Sequence, residues 1–328
     1  MKTSLFIKTL LEKKLILPPL SGFTDFPYRL ILSDFSPPFI TTEMVKTRAV
    51  IEHNDKTLSM LRKENGPHLK GAQILGSDPV IMAKAAQKIQ DIGFDFVDIN
   101  MGCTVKKVTS KGEGISLMKD EGHASAIVKA VSNAVSIPVT AKLRTGFSVD
   151  SINVLSLSEK LASNGAKAIT IHGRTGEKKF CQKVDMDIIR EATKLLTIPV
   201  IANGGIFSAD DAVKMLEYTS ASAVMPGRGI LGNPWLITEI TNAFENKPYK
   251  PPSLKEKKEI CKKHLGYICE YYGERTGILK MRKITPWYFS TCRNIKYLRR
   301  DVQEAKTIDN INKLLDKIIE ENNTSIYK

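Results

Sequence analysis

The sequence predicts a (β/α)8 TIM barrel followed by a small C-terminal all-helical domain, on three observations. Short runs rich in Ile, Val and Ala recur, each closed by a turn and followed by a helical pattern, which is the βα alternation of a parallel sheet. Eight such units fit into about 245 residues, the size of a closed barrel, where a doubly wound sheet needs fewer strands. The pattern then stops at Asn246-Lys-Pro-Tyr-Lys-Pro-Pro-Ser253, where prolines oppose helix and strand alike, and only helical periodicity follows.

In chain order, strands are expected at 15–19, 39–41, 68–74, 96–100, 139–143, 168–172, 200–203 and 223–226. Helices between them have legible ends. Asp78 and Pro79 suit the N-cap and first position of one helix, and Gly93 suits its end; another is expected over 123–134, and Ser208 caps the next. Beyond the linker, Ile260, His264, Tyr267, Ile268 and Tyr271, and then Ile308, Ile311, Leu314, Leu315 and Ile318, keep a helical period. The division expected is a catalytic barrel over 1–245, a linker over 246–252 and a helical domain over 253–328.

At 328 residues, 42% hydrophobic and 26% charged, the chain reads as a globular protein with a large core, which excludes disordered and fibrous classes. The formal charge of +14 is uneven: residues 246–328 carry +9 of it, so a polyanionic partner is expected to meet the tail. Five cysteines without CxxC spacing argue against a disulfide framework or a thiolate metal site and fit a reduced cytoplasm. Charged residues break up the first twenty positions, so no signal peptide is read there, and no run reaches membrane-spanning length.

Chemistry is expected at the carboxyl ends of the strands, where barrel loops converge. The fourth strand runs through Phe96-Val-Asp-Ile-Asn-Met-Gly-Cys103 and ends on a thiol, so Cys103 is a candidate acid or nucleophile. Glycine-bearing turns follow the last two strands, Asn203-Gly204-Gly205 and Gly227-Arg228-Gly229, where backbone N–H groups and Arg228 can hold a phosphate. Gln73, Asn100, Lys142, His172 and Asn203 place polar groups at the ends of strands three to seven. Alone, Lys142 is compatible with a carboxylate partner and His172 with a structural hydrogen bond; no second ligand at metal spacing accompanies His172. Together, a phosphate site with amide, lysine and histidine donors suits flavin mononucleotide (FMN).

These motifs resemble one family, the flavin-dependent tRNA dihydrouridine synthases. Leu17-Pro-Pro-Leu-Ser-Gly-Phe-Thr-Asp25, Thr42-Glu-Met44, Gln73-Ile-Leu-Gly-Ser77, Asp98-Ile-Asn-Met-Gly-Cys103, Lys142-Leu-Arg-Thr-Gly146, His172-Gly-Arg-Thr175, Asn203-Gly-Gly205 and Gly227-Arg-Gly-Ile-Leu-Gly-Asn-Pro-Trp235 stand in that family's order. The tail resembles the bacterial B-type branch at Leu279-Lys-Met-Arg-Lys283 and Trp287-Tyr288. The resemblance implies that NADPH regenerates reduced flavin, that hydride passes from N5 to C6 of a uracil in tRNA, and that Cys103 protonates C5 from the opposite face. It implies Pro19, Leu20 and Ser21 beside the flavin ring, Gln73, Lys142 and His172 on its polar atoms, and Asn203, Gly204, Gly205, Gly227 and Arg228 on its phosphate. Asn100 and Arg174 are implied to touch the uracil or its nucleotide. Three departures stand out: Thr104 replaces the usual proline, Leu20-Ser21 the usual Met-Ala, and Phe180-Cys-Gln-Lys-Val184 a tyrosine- and glycine-containing segment.

In the tail, Lys280, Arg282, Lys283, Arg293, Lys296, Arg299 and Arg300 alternate with Trp287, Tyr288 and Tyr297, cations for phosphate and aromatics for stacking or packing. Trp287 is expected in the helical core. A monomer is expected. Two other functions share these features: a flavin barrel acting on a free pyrimidine, against which the basic tail argues, and a non-catalytic RNA-binding regulator, against which Cys103 argues.

Overall fold

The apolar runs become parallel strands ordered around one sheet in the computed structural model, which describes residues 2–177 and 183–323. The strands are β1 Phe39–Thr41, β2 Val45–Lys46, β3 Leu69–Leu75, β4 Phe96–Met101, β5 Val139–Arg144, β6 Ala168–His172, β7 Val200–Asn203 and β8 Ala223–Met225. β1 pairs with β3, the others follow in sequence to β8, and β2 pairs with the end of β3 (Val45 opposite Ile74). Near-continuous Ile, Val, Leu and Ala burial in these strands is what helices on the outside and packed side chains on the inside require.

One expected strand is reduced. At 15–19 only Leu15 forms a ladder bridge, with Val224. Yet Ile16 N–H donates to the Val224 carbonyl at 3.1 Å and Leu17 N–H to the Phe39 carbonyl at 3.2 Å, so this segment lies between β8 and β1 and closes the ring. Pro18 and Pro19 have no N–H to extend the ladder, which ends the strand there.

Other ends follow the local chemistry. Asp78 caps the helix Pro79–Ile92 and Gly93 terminates it in the left-handed region. The helix expected at 123 begins earlier, as Glu121–Ala134, because Asp120 caps it through the His123 N–H. Ser208 and Asp211 form a reciprocal capping box at the start of Ala209–Thr219.

The helix Lys2–Lys13 was not legible as part of the barrel. Its Phe6 and Leu10, one turn apart, seal the barrel floor, where the Phe6 ring lies 5.2 Å from that of Phe39 and 5.1 Å from that of Phe96. With the floor closed by aromatics, the open end is the one carrying the strand carboxyl termini.

Beyond the proline-rich segment, the helices Leu254–Tyr272, Glu274–Tyr288, Ile295–Asp301 and Ile308–Asn323 pack around Leu265, Ile268, Ile278, Met281, Phe289, Ile311 and Leu315. They dock on the barrel through rings: His264 stacks on Tyr28 at 5.0 Å, and its Nδ1 lies 3.0 Å from the Tyr288 hydroxyl. Tyr288 is buried in the helical core, and half-buried Trp287 packs against it while its ring lies 5.1 Å from that of Phe23.

Candidate functional site

At the open end a cavity of about 410 Å³ lies above the strands. Pro19, Leu20, Ser21, Asn100, Cys103, Lys142, His172, Arg174, Asn203, Gly204, Gly205, Gly227 and Arg228 all line it. Residues from the carboxyl ends of five strands, or the turns that follow them, and from the closing segment thus converge on one space, as the strand-end positions predict.

Cys103 is partly exposed in this wall. Its N–H donates to Asn100 Oδ1 at 3.0 Å, and its carbonyl accepts from the Ile115 N–H at 3.1 Å. Gly114 lets that second loop approach: its φ is +62°, and an added Cβ would fall 2.8 Å from the Cys103 carbonyl oxygen. On the other side, Arg144 Nε donates to the Gly102 carbonyl at 2.9 Å and Nη1 to the Thr175 carbonyl at 2.8 Å, tying the loop after β4 to the loop after β6. Arg144 lines the cavity too; the sequence placed it in a motif without marking it as a clamp. Burial and the Arg174 charge pull its pKa down to about 10, opposed by Cys103.

Among the described residues Lys142 forms no salt bridge with a carboxylate; its Nζ donates to Asn203 Oδ1 at 2.8 Å, and Asn203 Nδ2 donates to the Met225 carbonyl at 2.7 Å. Desolvation and the Arg144 charge push the Lys142 pKa down to about 7, with Asp98 opposing. His172 goes to about 2, first from burial and then from the charges of Lys142, Arg144, Arg174 and Arg228, so the imidazole is neutral at ordinary pH. Arg174 Nη1 lies 3.3 Å from its Nε2. The turn after β7 needs glycine, since Gly204 has φ +118° and an added Cβ would lie 2.9 Å from His172 Cδ2.

Three expected contacts are engaged inside the protein. Gln73 does not reach the cavity: it is 0% exposed, with its amide nitrogen 2.7 Å from Asp98 Oδ2 and its oxygen 2.8 Å from Asn100 Nδ2. Arg282 is spent on structure, donating through Nε and Nη2 to the Ala305 carbonyl. Lys280 pairs with Asp25 at 3.2 Å and lies over the Tyr272 ring. Lys283 is exposed above Phe23, itself a cavity-lining ring, so it stands at the mouth and not inside. Arg293, Lys296, Arg299 and Arg300 are exposed on and beside the helix Ile295–Asp301. Phe180, Cys181 and Gln182 lie outside the described residues.

The sequence also left Val105 and Phe207 unmarked, each 56% exposed at the rim. No helix among the described residues is long and apolar enough to cross a membrane. Among them, no group of His, Cys, Asp and Glu suits a metal ion.

A protein 37% identical over 279 residues, 85% of this chain and 84% of its own, is the tRNA-dihydrouridine synthase B of Pasteurella multocida. Another, 37% identical over 315 residues, 94% of this chain and 87% of its own, is a probable tRNA-dihydrouridine synthase 1 of Synechocystis. Among solved structures, the histamine dehydrogenase of a Rhizobium shares the fold, with a TM-score of 0.55 at 14% identity over 77% of this chain and 49% of that one. The profile of the family described as "Dihydrouridine synthase (Dus)" matches residues 16–323, and the chain belongs to that family.

Proposed function

We propose that this protein reduces the C5–C6 double bond of uridines in tRNA, with FMN held in the barrel mouth and NADPH as reductant. The observation that carries the proposal is the convergence of Cys103, Lys142, His172, Arg174 and Arg228 on one cavity of about 410 Å³. The donor set fits the cofactor: Gly204, Gly205 and Gly227 offer backbone near Arg228 for a phosphate, and Lys142 and neutral His172 suit ring carbonyl and nitrogen atoms. Pro19, Leu20 and Ser21 supply a flat wall beside them.

A flavin held by these residues would, in its reduced form, supply the hydride for C6 of the uracil. Cys103 then delivers the proton to C5 from the opposite side, because thiols are competent acids near neutral pH and the loop bonds at Asn100, Ile115 and Gly102 hold this one at the cavity edge. Arg174 sits where a nucleotide phosphate or carbonyl can meet it. Residues 1–245 act as the catalytic unit and 253–328 as the tRNA-recognition unit, where Lys283 and the exposed cations near the helix Ile295–Asp301 meet phosphates of an extruded-base complex.

Purified protein is expected to be yellow, to oxidise NADPH, and to convert unmodified tRNA to dihydrouridine-containing tRNA. Reduction of free uracil with no activity on tRNA transfers the function to a pyrimidine oxidoreductase, and colourless protein that cannot be reconstituted with FMN defeats the flavin assignment.

A further inference from the structure

Gln73, Asp98 and Thr140 stand in one row of the sheet, Gln73 opposite Asp98 across β3 and β4 and Asp98 opposite Thr140 across β4 and β5. All three are buried, and the carboxylate is satisfied from both sides: Thr140 Oγ1 donates to Oδ1 at 2.6 Å and Gln73 Nε2 to Oδ2 at 2.7 Å. Two residues along β4, on the same face, Asn100 Nδ2 donates to Gln73 Oε1 at 2.8 Å. Asn100 Oδ1 in turn accepts the N–H groups of Gly102 at 3.2 Å and Cys103 at 3.0 Å.

The direction of this chain is set at both ends. A carboxylate only accepts and a backbone N–H only donates, so each of the two amides between them has one workable orientation. If Gln73 turns round, its carbonyl faces the carboxylate, and Asn100 must turn as well and present its NH2 to the two loop N–H groups. Asn100 has its remaining donor near the Met44 sulfur at 3.8 Å, so its polar atoms are occupied by the loop and its supports.

We propose that Asp98 is a positioning residue for the acid: through Gln73 and Asn100, its carboxylate fixes which way both amides face and thereby holds the Gly102 and Cys103 backbone that places the thiol. This rests on the reading of Cys103 as the proton donor. It also gives Gln73 a role inside the wall. Burial raises the Asp98 pKa, while the bonds from Thr140 and Gln73 and the Lys142 charge favour the ionised form that accepts from both neighbours.

The test uses the flavin-loaded protein with Asp98→Ala, Asp98→Asn and Gln73→Met. Amide hydrogen exchange over the Met101–Val105 peptide is expected to rise about tenfold in Asp98→Ala and Gln73→Met, the size of one buried hydrogen bond, with the flavin spectrum unchanged. In both, kcat on tRNA is expected to fall at least as much while KM stays within about twofold. Asp98→Asn is expected to restore both, because its carbonyl can still accept from Gln73 while the Thr140 hydroxyl turns to accept from its NH2. Wild-type exchange in both disrupting variants overturns the relay, as does failure of Asp98→Asn to restore protection. If Asp98→Ala does not fold, Gln73→Met decides the matter alone. Exchange is read without turnover, so a relay that behaves as expected in a protein inactive on tRNA removes the acid assignment and leaves the relay standing.

Discussion

Lys142 Nζ lies 2.8 Å from Asn203 Oδ1, a bond that crosses the end of β6 and joins β5 to β7 beside His172. It is the partner the sequence could not supply: a half-buried ammonium held by a neutral amide, with its pKa near 7 because the wall and Arg144 disfavour its charge. A ligand acceptor brought to Nζ restores the reason for the charge.

Flavin binding is therefore expected to take up a proton. Above pH 7 the free lysine is mostly neutral, so affinity for FMN should weaken by up to about tenfold per pH unit between 7 and 9. Lys142→Met should bind about 10- to 100-fold more weakly at pH 6.5 and lose most of the pH dependence. Fluorescence titration of the flavin-free protein across this range measures both.

His264 gives the tail a pH signature. Burial, with a smaller contribution from the Lys280 charge, lowers its pKa to about 4 against Asp25, so the unfolded chain binds a proton that the folded protein refuses between pH 6.5 and 4. Stability contributed by the neutral ring is complete above 6.5 and declines as pH falls through that window, by about 3 kcal/mol in all. Thermal melting of wild type and His264→Gln from pH 7 to 4 should show a shallower fall in the variant.

The tail cations should separate by role. Arg282→Ala removes charge-assisted bonds to the Ala305 carbonyl and is expected to cost about 1.5–3 kcal/mol of stability. Lys283→Ala should leave the melting temperature nearly unchanged, weaken tRNA binding and reduce the salt slope by about one. Binding isotherms at several salt concentrations distinguish them.

Deleting residues 253–328 is a poor test of recognition alone. The deletion uncovers Tyr28, which stacks on His264, and Asp25, which bonds Tyr272 and Lys280. It is expected to lower barrel stability along with tRNA affinity, read as reduced soluble yield and flavin content.

The wall of the barrel was legible because β-branched and apolar runs need a two-sided core, and the glycine turn after β7 because few residues tolerate its backbone. Cys103, Lys142, His172 and Asn203 were legible as polar residues ending apolar strands. Gln73 shares that signature, and its burial became visible only with the register that sets it opposite Asp98. Phe6 and Leu10 escaped notice because a short apolar pattern interrupted by lysines looks like an ordinary surface helix until the barrel floor is placed beneath it. The split between Arg282 and Lys283 depends on which side of the helix Glu274–Tyr288 each faces, and composition carries no such information.

The proton donor is tested most directly by single turnover. Wild-type and Cys103→Ala proteins, both with reduced flavin, are mixed with unmodified tRNA while flavin reoxidation and dihydrouridine formation are followed. The account predicts that Cys103→Ala retains flavin and tRNA affinity and forms dihydrouridine at least about 100-fold more slowly. Equal rates in the two proteins contradict it.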